Sequence, residues 1–199
     1  MPIRKGSVTF VRFRVKSGPK EKRALSTGLR KKAFEPIDRA SDQDRAQGWV
    51  ELEDSESAEL TPTSFLFGER LLVSWRVDKL VVPRRLLASE VDKWRAEFAE
   101  REERPPSRGE TREQKAIIHQ ELRGRAFVKT ETYDVSWELV ADELWVWATS
   151  NKVIDEILEA LEAMAVVLVP TSPGARAEGI DPKKLEPTEA LHHLTRAES

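Results

Sequence analysis

Cysteine is missing altogether from the 199 residues. Its absence removes disulfides, thiolate nucleophiles and cysteine-bearing zinc sites together. Histidine is nearly as scarce, with His119 inside a helical pattern and His192-His193 near the C-terminus. None of these spacings sets two imidazoles on a common metal. No run approaches the roughly 18 to 20 apolar residues that span a bilayer. The opening MPIRKGSVTF has no apolar leader segment either. There is no glycine-rich phosphate loop, no dinucleotide fingerprint and no nucleophile elbow. Paired acids, Asp142-Glu143 and Asp155-Glu156, fall at a turn and on the polar face of a helix, where solvation and helix-dipole effects account for them. These absences predict a cytoplasmic protein that is not an enzyme, with no catalytic residues, no metal, no cofactor and no membrane contact.

What the chain does have is charge, sorted along its length. The formal total is only −2. Residues 1–34 nevertheless carry +10 and residues 35–68 carry −7. The alternation continues with +4 over 76–129 and −8 over 130–170. A near-neutral protein still attracts polyanions when folding collects its basic segments on one surface, because the local field decides. The competing reading is a solvated, mixed-charge exterior.

The hydrophobic pattern predicts an α+β fold of mostly antiparallel strands with packed helices. Ser7 to Lys16 alternates as a strand, and Lys20 to Lys32 has one thin apolar stripe, Leu25 and Leu29, suited to a short helix. An acidic stretch follows, interrupted by Gly48-Trp49-Val50. Phe65 to Val77 reads as strand, with Gly68-Glu69 as a turn. Pro83 opens a long helix whose face carries Leu87, Val91, Trp94 and Phe98. Pro105-Pro106-Ser107-Arg108-Gly109 breaks it. Thr111 and Gln114 then form a candidate capping box for a second helix, with Ile117, Ile118 and Leu122 inward. Residues 83–122 thus predict a charged helical hairpin projecting from a sheet. Tyr133 to Leu139 and Leu144 to Thr149 pair as a strand hairpin, Ser150 caps an amphipathic helix, and Ala165 to Val169 is a further strand. The expected organisation is one region over 1–172 and a polar tail over 173–199.

The six tryptophans lie mostly at core periodicity, with Trp145 and Trp147 on one strand face that could line core or interface. Basic residues are the remaining candidates for function. Arg12, Arg14 and Lys16 share a face of the first strand. Arg30, Lys31 and Lys32 end the first helix. Lys79, Arg84 and Arg85 flank the start of the long helix, Arg108 and Arg112 sit at the hairpin turn, and Arg123, Arg125 and Lys129 follow it. Cations spread in this way bind phosphates without reading bases.

Several segments, in order, resemble the RdgC family. They are Ala33-Phe34-Glu35-Pro36, Gly48-Trp49-Val50, Arg70-Leu71-Leu72-Val73, Asp78-Lys79-Leu80-Val81-Val82-Pro83, Leu122-Arg123-Gly124-Arg125-Ala126-Phe127 and Ala148-Thr149-Ser150-Asn151-Lys152, followed by Val166-Val167-Leu168-Val169-Pro170. The likeness spans roughly residues 1–172. It implies a nucleoid-associated, recombination-related protein that binds duplex DNA without sequence preference as a ring-shaped homodimer and restrains RecA through shared DNA. It also implies that the hairpin helps close the ring, and it assigns Lys79 and Arg125 to family positions. Typical members run more than a hundred residues further, against 29 here after Pro170. The expected arrangement has the basic residues lining one groove or channel with acids outward. The rival expectation is a non-catalytic protein-interaction subunit of a larger assembly, docking through the hairpin and the acidic 130–170 segment.

Overall fold

A computed structural model describes residues 9–39, 41 and 43–171. The expected 173–199 tail lies outside the described residues. In chain order the elements are β1 (Val11–Ser17), α1 (Lys22–Arg30), β2 (Arg45–Glu51), α2 (Pro62–Phe65), β3 (Leu66–Phe67), β4 (Arg70–Leu80), α3 (Arg84–Glu102), α4 (Arg108–Arg125), β5 (Val128–Glu138), β6 (Glu143–Val146), α5 (Asn151–Glu162) and β7 (Val167–Pro170). The strands form one sheet in the order β2-β4-β5-β6-β1-β7, with β3 paired to β4 off that path. Every pairing of these strands is antiparallel. This is the α+β architecture that the period-two segments and their turn signals predict.

Period-two alternation gives the sheet two different faces. One carries Phe13, Val15, Leu71, Val73, Trp75, Val77, Val135, Trp137, Leu144 and Val146, all buried. Leu25 and Leu29 of α1 and Val153, Ile154, Ile157, Ala160 and Leu161 of α5 close over it as one core. Truncating any of the larger of these side chains would cost about 2–5 kcal/mol.

The other face is polar. Beside β2 it is covered by the chain around 33–36 and 51–57. Arg76 donates there to both oxygens of Asp78 (2.9 Å each) and to the Ser55 carbonyl (2.8 Å), and Phe34 lies 4.4 Å below its guanidinium. Asp78 hydrogen bonding holds the Arg76 guanidinium well above its ordinary pKa, although burial opposes this. Toward β6 and β1 the same face is open.

Between β4 and β5 the chain leaves the sheet as the α3–α4 hairpin. Val91, Phe98 and Ile118 are the buried residues of its seam. Its second helix starts earlier than expected. Ser107 is the N-cap, accepting from the Glu110 amide (3.2 Å) while the Glu110 carboxylate accepts from the Ser107 amide (2.7 Å). The capping box is therefore Ser107–Glu110 and not Thr111–Gln114: two prolines precede Ser107, and Glu110 also receives Arg104 (2.8 and 3.1 Å). That arginine, with Ser107, holds the Glu110 carboxyl down to about 2. Two inward assignments also change: Ile117 is exposed, and Trp94 is half-exposed, packed 5.2 Å from Phe98 in the hairpin and not in the sheet core.

Candidate nucleic-acid interface

The fold separates the predicted basic residues into several locations. Arg12, Arg14 and Lys16 point from β1 onto the open face of the sheet. Arg12 is partly engaged, donating to the Thr171 hydroxyl (3.3 Å) with Glu143 3.9 Å away. Arg14 and Lys16 are exposed and have no carboxylate partner among the described residues. Arg30, Lys31 and Lys32 lie exposed at the end of α1, where Arg30 donates to the Glu59 carbonyl (2.9 Å).

Lys79 and Lys129 face the opposite way, toward α5. They are register partners across β4 and β5, and Glu131 sits between their ammonium groups at 3.2 and 2.9 Å. Hydrogen bonds from Lys129 and then Lys79 hold the Glu131 carboxyl down to about 2. The single carboxylate thus offsets half of the pair's charge at its source. The expected single lining of cations does not form within one chain, because strand register sends Arg12 and Lys79 to opposite faces.

Arg123 is removed from the interface altogether. It is only 3 % exposed, donating to Asp44 (2.5 Å) and to the carbonyls of Arg39 (3.0 Å) and Gln43 (2.7 Å). Arg39 returns the contact by donating to the carbonyls of Gly124 (2.7 Å) and Ala126 (3.2 Å). These two arginines clamp the root of α4 to the segment before β2. Arg123 is an anchor, and its burial, not its charge, explains its place.

What folding does assemble is the hairpin. Along one side, α3 and α4 enclose a groove with a cavity of about 730 Å³ near the tip and another of about 450 Å³ near the root, sharing Arg95, Thr111 and Lys115. Leu87, Ala88, Val91, Ala96 and Ala99 make it apolar between the helices. Its charges are Arg84, Arg95, Arg108, Arg112 and Lys115 against a single acid, Asp92, which Arg95 pairs at 3.1 Å. Arg84, Arg108, Arg112 and Lys115 have no carboxylate partner among the described residues. Arg85 is exposed at the start of α3 outside this groove, and Arg125 lines the other side of the hairpin with Glu90, Glu97 and Glu121. The hairpin is therefore basic on one side and mixed in charge on the other, where Lys93 and Arg125 stand against three carboxylates.

Arg95 and Lys115 escaped the sequence reading, although the signal was present. Arg108, Arg112 and Lys115 are spaced four and three, one face of a helix, and Arg84 to Arg95 is about three turns. Among the described residues no three His, Asp or Glu side chains come together as a metal-binding group. No helix there is long and apolar enough to cross a membrane.

At the hairpin root the surface changes character. Leu80 and Val128 are the last register partners, and Val81 and Phe127 are the next residues beyond the sheet on each strand. Phe127 is 93 % exposed and Val81 and Val128 are exposed beside it.

A single antiparallel sheet with helices on one face and a charged helical hairpin defines a protein of the α+β class. Within that class, the family model described as "Putative exonuclease, RdgC" matches residues 9–177. The chain belongs to the RdgC family, which ties it to recombination. No curated protein matches it.

Proposed function

We propose that this protein binds duplex DNA without sequence preference, through the cationic side of the hairpin with help from Arg14 and Lys16 on the open sheet face. The observation that carries the reading is the groove along which Arg84, Lys115, Arg112 and Arg108 are spaced from root to tip without carboxylate partners among the described residues. Unpaired cations on a rigid helical scaffold release counterions from the phosphate backbone and so supply affinity that ignores sequence. The spacing of basic residues along two helix faces suits a phosphate backbone better than base edges.

One chain presents its cations in separate patches, so a continuous lining needs more than one copy. The exposed Phe127, with Val81 and Val128, is the apolar surface that a second copy would cover. A homodimer on DNA would limit RecA by occupying the substrate they share, and it would place the protein at the nucleoid. The chemistry is binding without strand cleavage.

A mobility-shift assay across a salt series tests this. Binding at low salt that weakens steeply with salt supports it, and replacing Arg108, Arg112 and Lys115 by alanine should flatten the slope. Absence of low-salt binding would sink the reading. Degradation of an end-labelled duplex with divalent cation would replace it with a nuclease.

A further inference from the structure

The open sheet face carries a second feature, far from the hairpin groove. The β4–β5 pair runs through eleven register partners, from Leu80↔Val128 at the hairpin to Arg70↔Glu138 at the other end. At roughly 3.3 Å per residue the two ends are about 33 Å apart. At the Arg70–Glu138 end lies a cavity of about 510 Å³, within the range of small-ligand pockets.

Trp145 and Trp147 wall it, Leu72 and Ser136 line its sheet side, and Glu69, Glu138 and Glu143 rim it with Arg70. The indoles are braced from behind. Phe10 stacks on Trp145 with centroids 4.8 Å apart and planes 5° from parallel, and Trp147 tilts against both rings at 5.9 and 5.8 Å. The Trp145 indole N–H points toward Glu143 at 3.4 Å. Both indoles are partly exposed on the open face, whereas Trp137 on the same sheet is fully buried on the other.

The cavity lining carries three carboxylates against one guanidinium, with Arg12 and Arg14 flanking it as the register partners of Trp145 and Glu143. Arg70 is engaged with Glu138 in an ion pair, and Arg12 reaches only to 3.9 Å of Glu143. Glu69 is exposed with no ion-pair partner among the described residues. Glu138 and Glu143 belong to the acidic 130–170 segment, which DNA binding leaves without a role.

We infer that this cavity receives a guanidinium or ammonium side chain from a protein partner, laid on the Trp145–Trp147 surface with its N–H groups toward the Glu69 and Glu143 carboxylates. An indole face attracts a cation within about 6 Å of its centroid. The carboxylates add charge-assisted hydrogen bonds. A nucleotide stacked here with its phosphate toward Glu69 and Glu138 would be repelled. This site does not rest on DNA binding by the hairpin groove, although it shares the open sheet face with Arg14 and Lys16.

The test follows the six tryptophan indole N–H signals by NMR while the full chain is titrated with a capped tripeptide containing one central arginine. Its control is the same peptide with uncharged citrulline. Saturable shifts confined to Trp145 and Trp147, about ten-fold weaker with citrulline, support the proposal. Trp145→Ala should abolish them; Glu69→Gln, which breaks no ion pair of the fold, should weaken them several-fold. Equal binding of the citrulline peptide overturns it. So does a mononucleotide moving the same indoles at lower concentration, and so does an arginine titration that leaves both indoles unmoved.

Discussion

The Arg123 guanidinium, 3 % exposed, lies 2.5 Å from the Asp44 carboxylate, joining two elements 79 residues apart in sequence. It also donates to two carbonyls, so removing it strands three acceptors at the hairpin root. Arg123→Ala should cost about 2–4 kcal/mol, the range expected when a buried ion pair loses one partner and the other stays half-exposed. Urea unfolding measures the loss, and hydrogen exchange should accelerate first in the last turns of α4. Arg123→Lys should recover little, because one ammonium cannot serve three separated acceptors. A variant of wild-type stability would remove the anchoring role.

The hairpin and the β4–β5 lysines give opposite expectations for DNA. Lys79 and Lys129 already share Glu131, and they face α5. Replacing both by alanine should leave the salt dependence of DNA binding almost unchanged. Replacing Arg108, Arg112 and Lys115 should lower the slope of log affinity against log salt by about 0.9 for each phosphate that is no longer neutralised. Equal effects of the two sets would mean that DNA lies across the sheet and not on the hairpin.

Much of the fold could be read from period and punctuation. Val135 and Trp137 alternate toward the core, Gly68 takes the positive φ that its turn requires, and Pro105-Pro106 divides the two hairpin helices. The site was less legible, for a physical reason. Period two says that Arg12 and Arg14 share a face, but not which face relative to Lys79; that depends on register through β4, β5 and β6. Arg123 resembled any other cation at a helix end because its partner, Asp44, is remote in sequence. The Phe10–Trp145 stack was hidden likewise, since it needs the pairing of β1 with β6.

Glu131 supplies a pH signature. Its carboxyl is held down to about 2 in the folded protein by Lys129 and Lys79, against an ordinary value of 4.5. Above about pH 4.5 both folded and unfolded chains have it ionised, and its contribution is complete. Between about 4.5 and 2 the unfolded chain takes up the proton first, so stability falls with pH. Glu131→Gln should therefore lower stability at neutral pH and make the acid limb shallower in that window. Thermal melts between pH 2 and 7 would show it; parallel curves for the two proteins would contradict the linkage.

Gly48 tests a close approach between backbones. A Cβ built there would meet the Phe34 Cα and N at 2.5 Å, where Phe34 donates to the Trp49 carbonyl at 2.9 Å and Trp49 to that of Lys32 at 2.8 Å. The obstacle is main chain, so no rotamer change relieves it. Gly48→Ala should destabilise by about 3 kcal/mol, the upper part of the overpacking range, and should loosen Phe34 from beneath Arg76. Chemical denaturation gives the magnitude, and a shift of less than about 0.5 kcal/mol would show that the 33–34 bridge yields freely.

Phe127 separates self-association from folding. At 93 % exposure it contributes little to the core, so Phe127→Asp should leave the melting temperature nearly unchanged. A charge placed between Val81 and Val128 would oppose burial of that surface by a second copy. Sedimentation should then show a dimer in the parent and a monomer in the variant. DNA affinity should fall by more than the change of a single side chain explains, because two linked surfaces act at a high effective concentration. If the variant stays dimeric, the hairpin root is not where the copies meet, and the cations of two chains must be brought together from another side of the sheet.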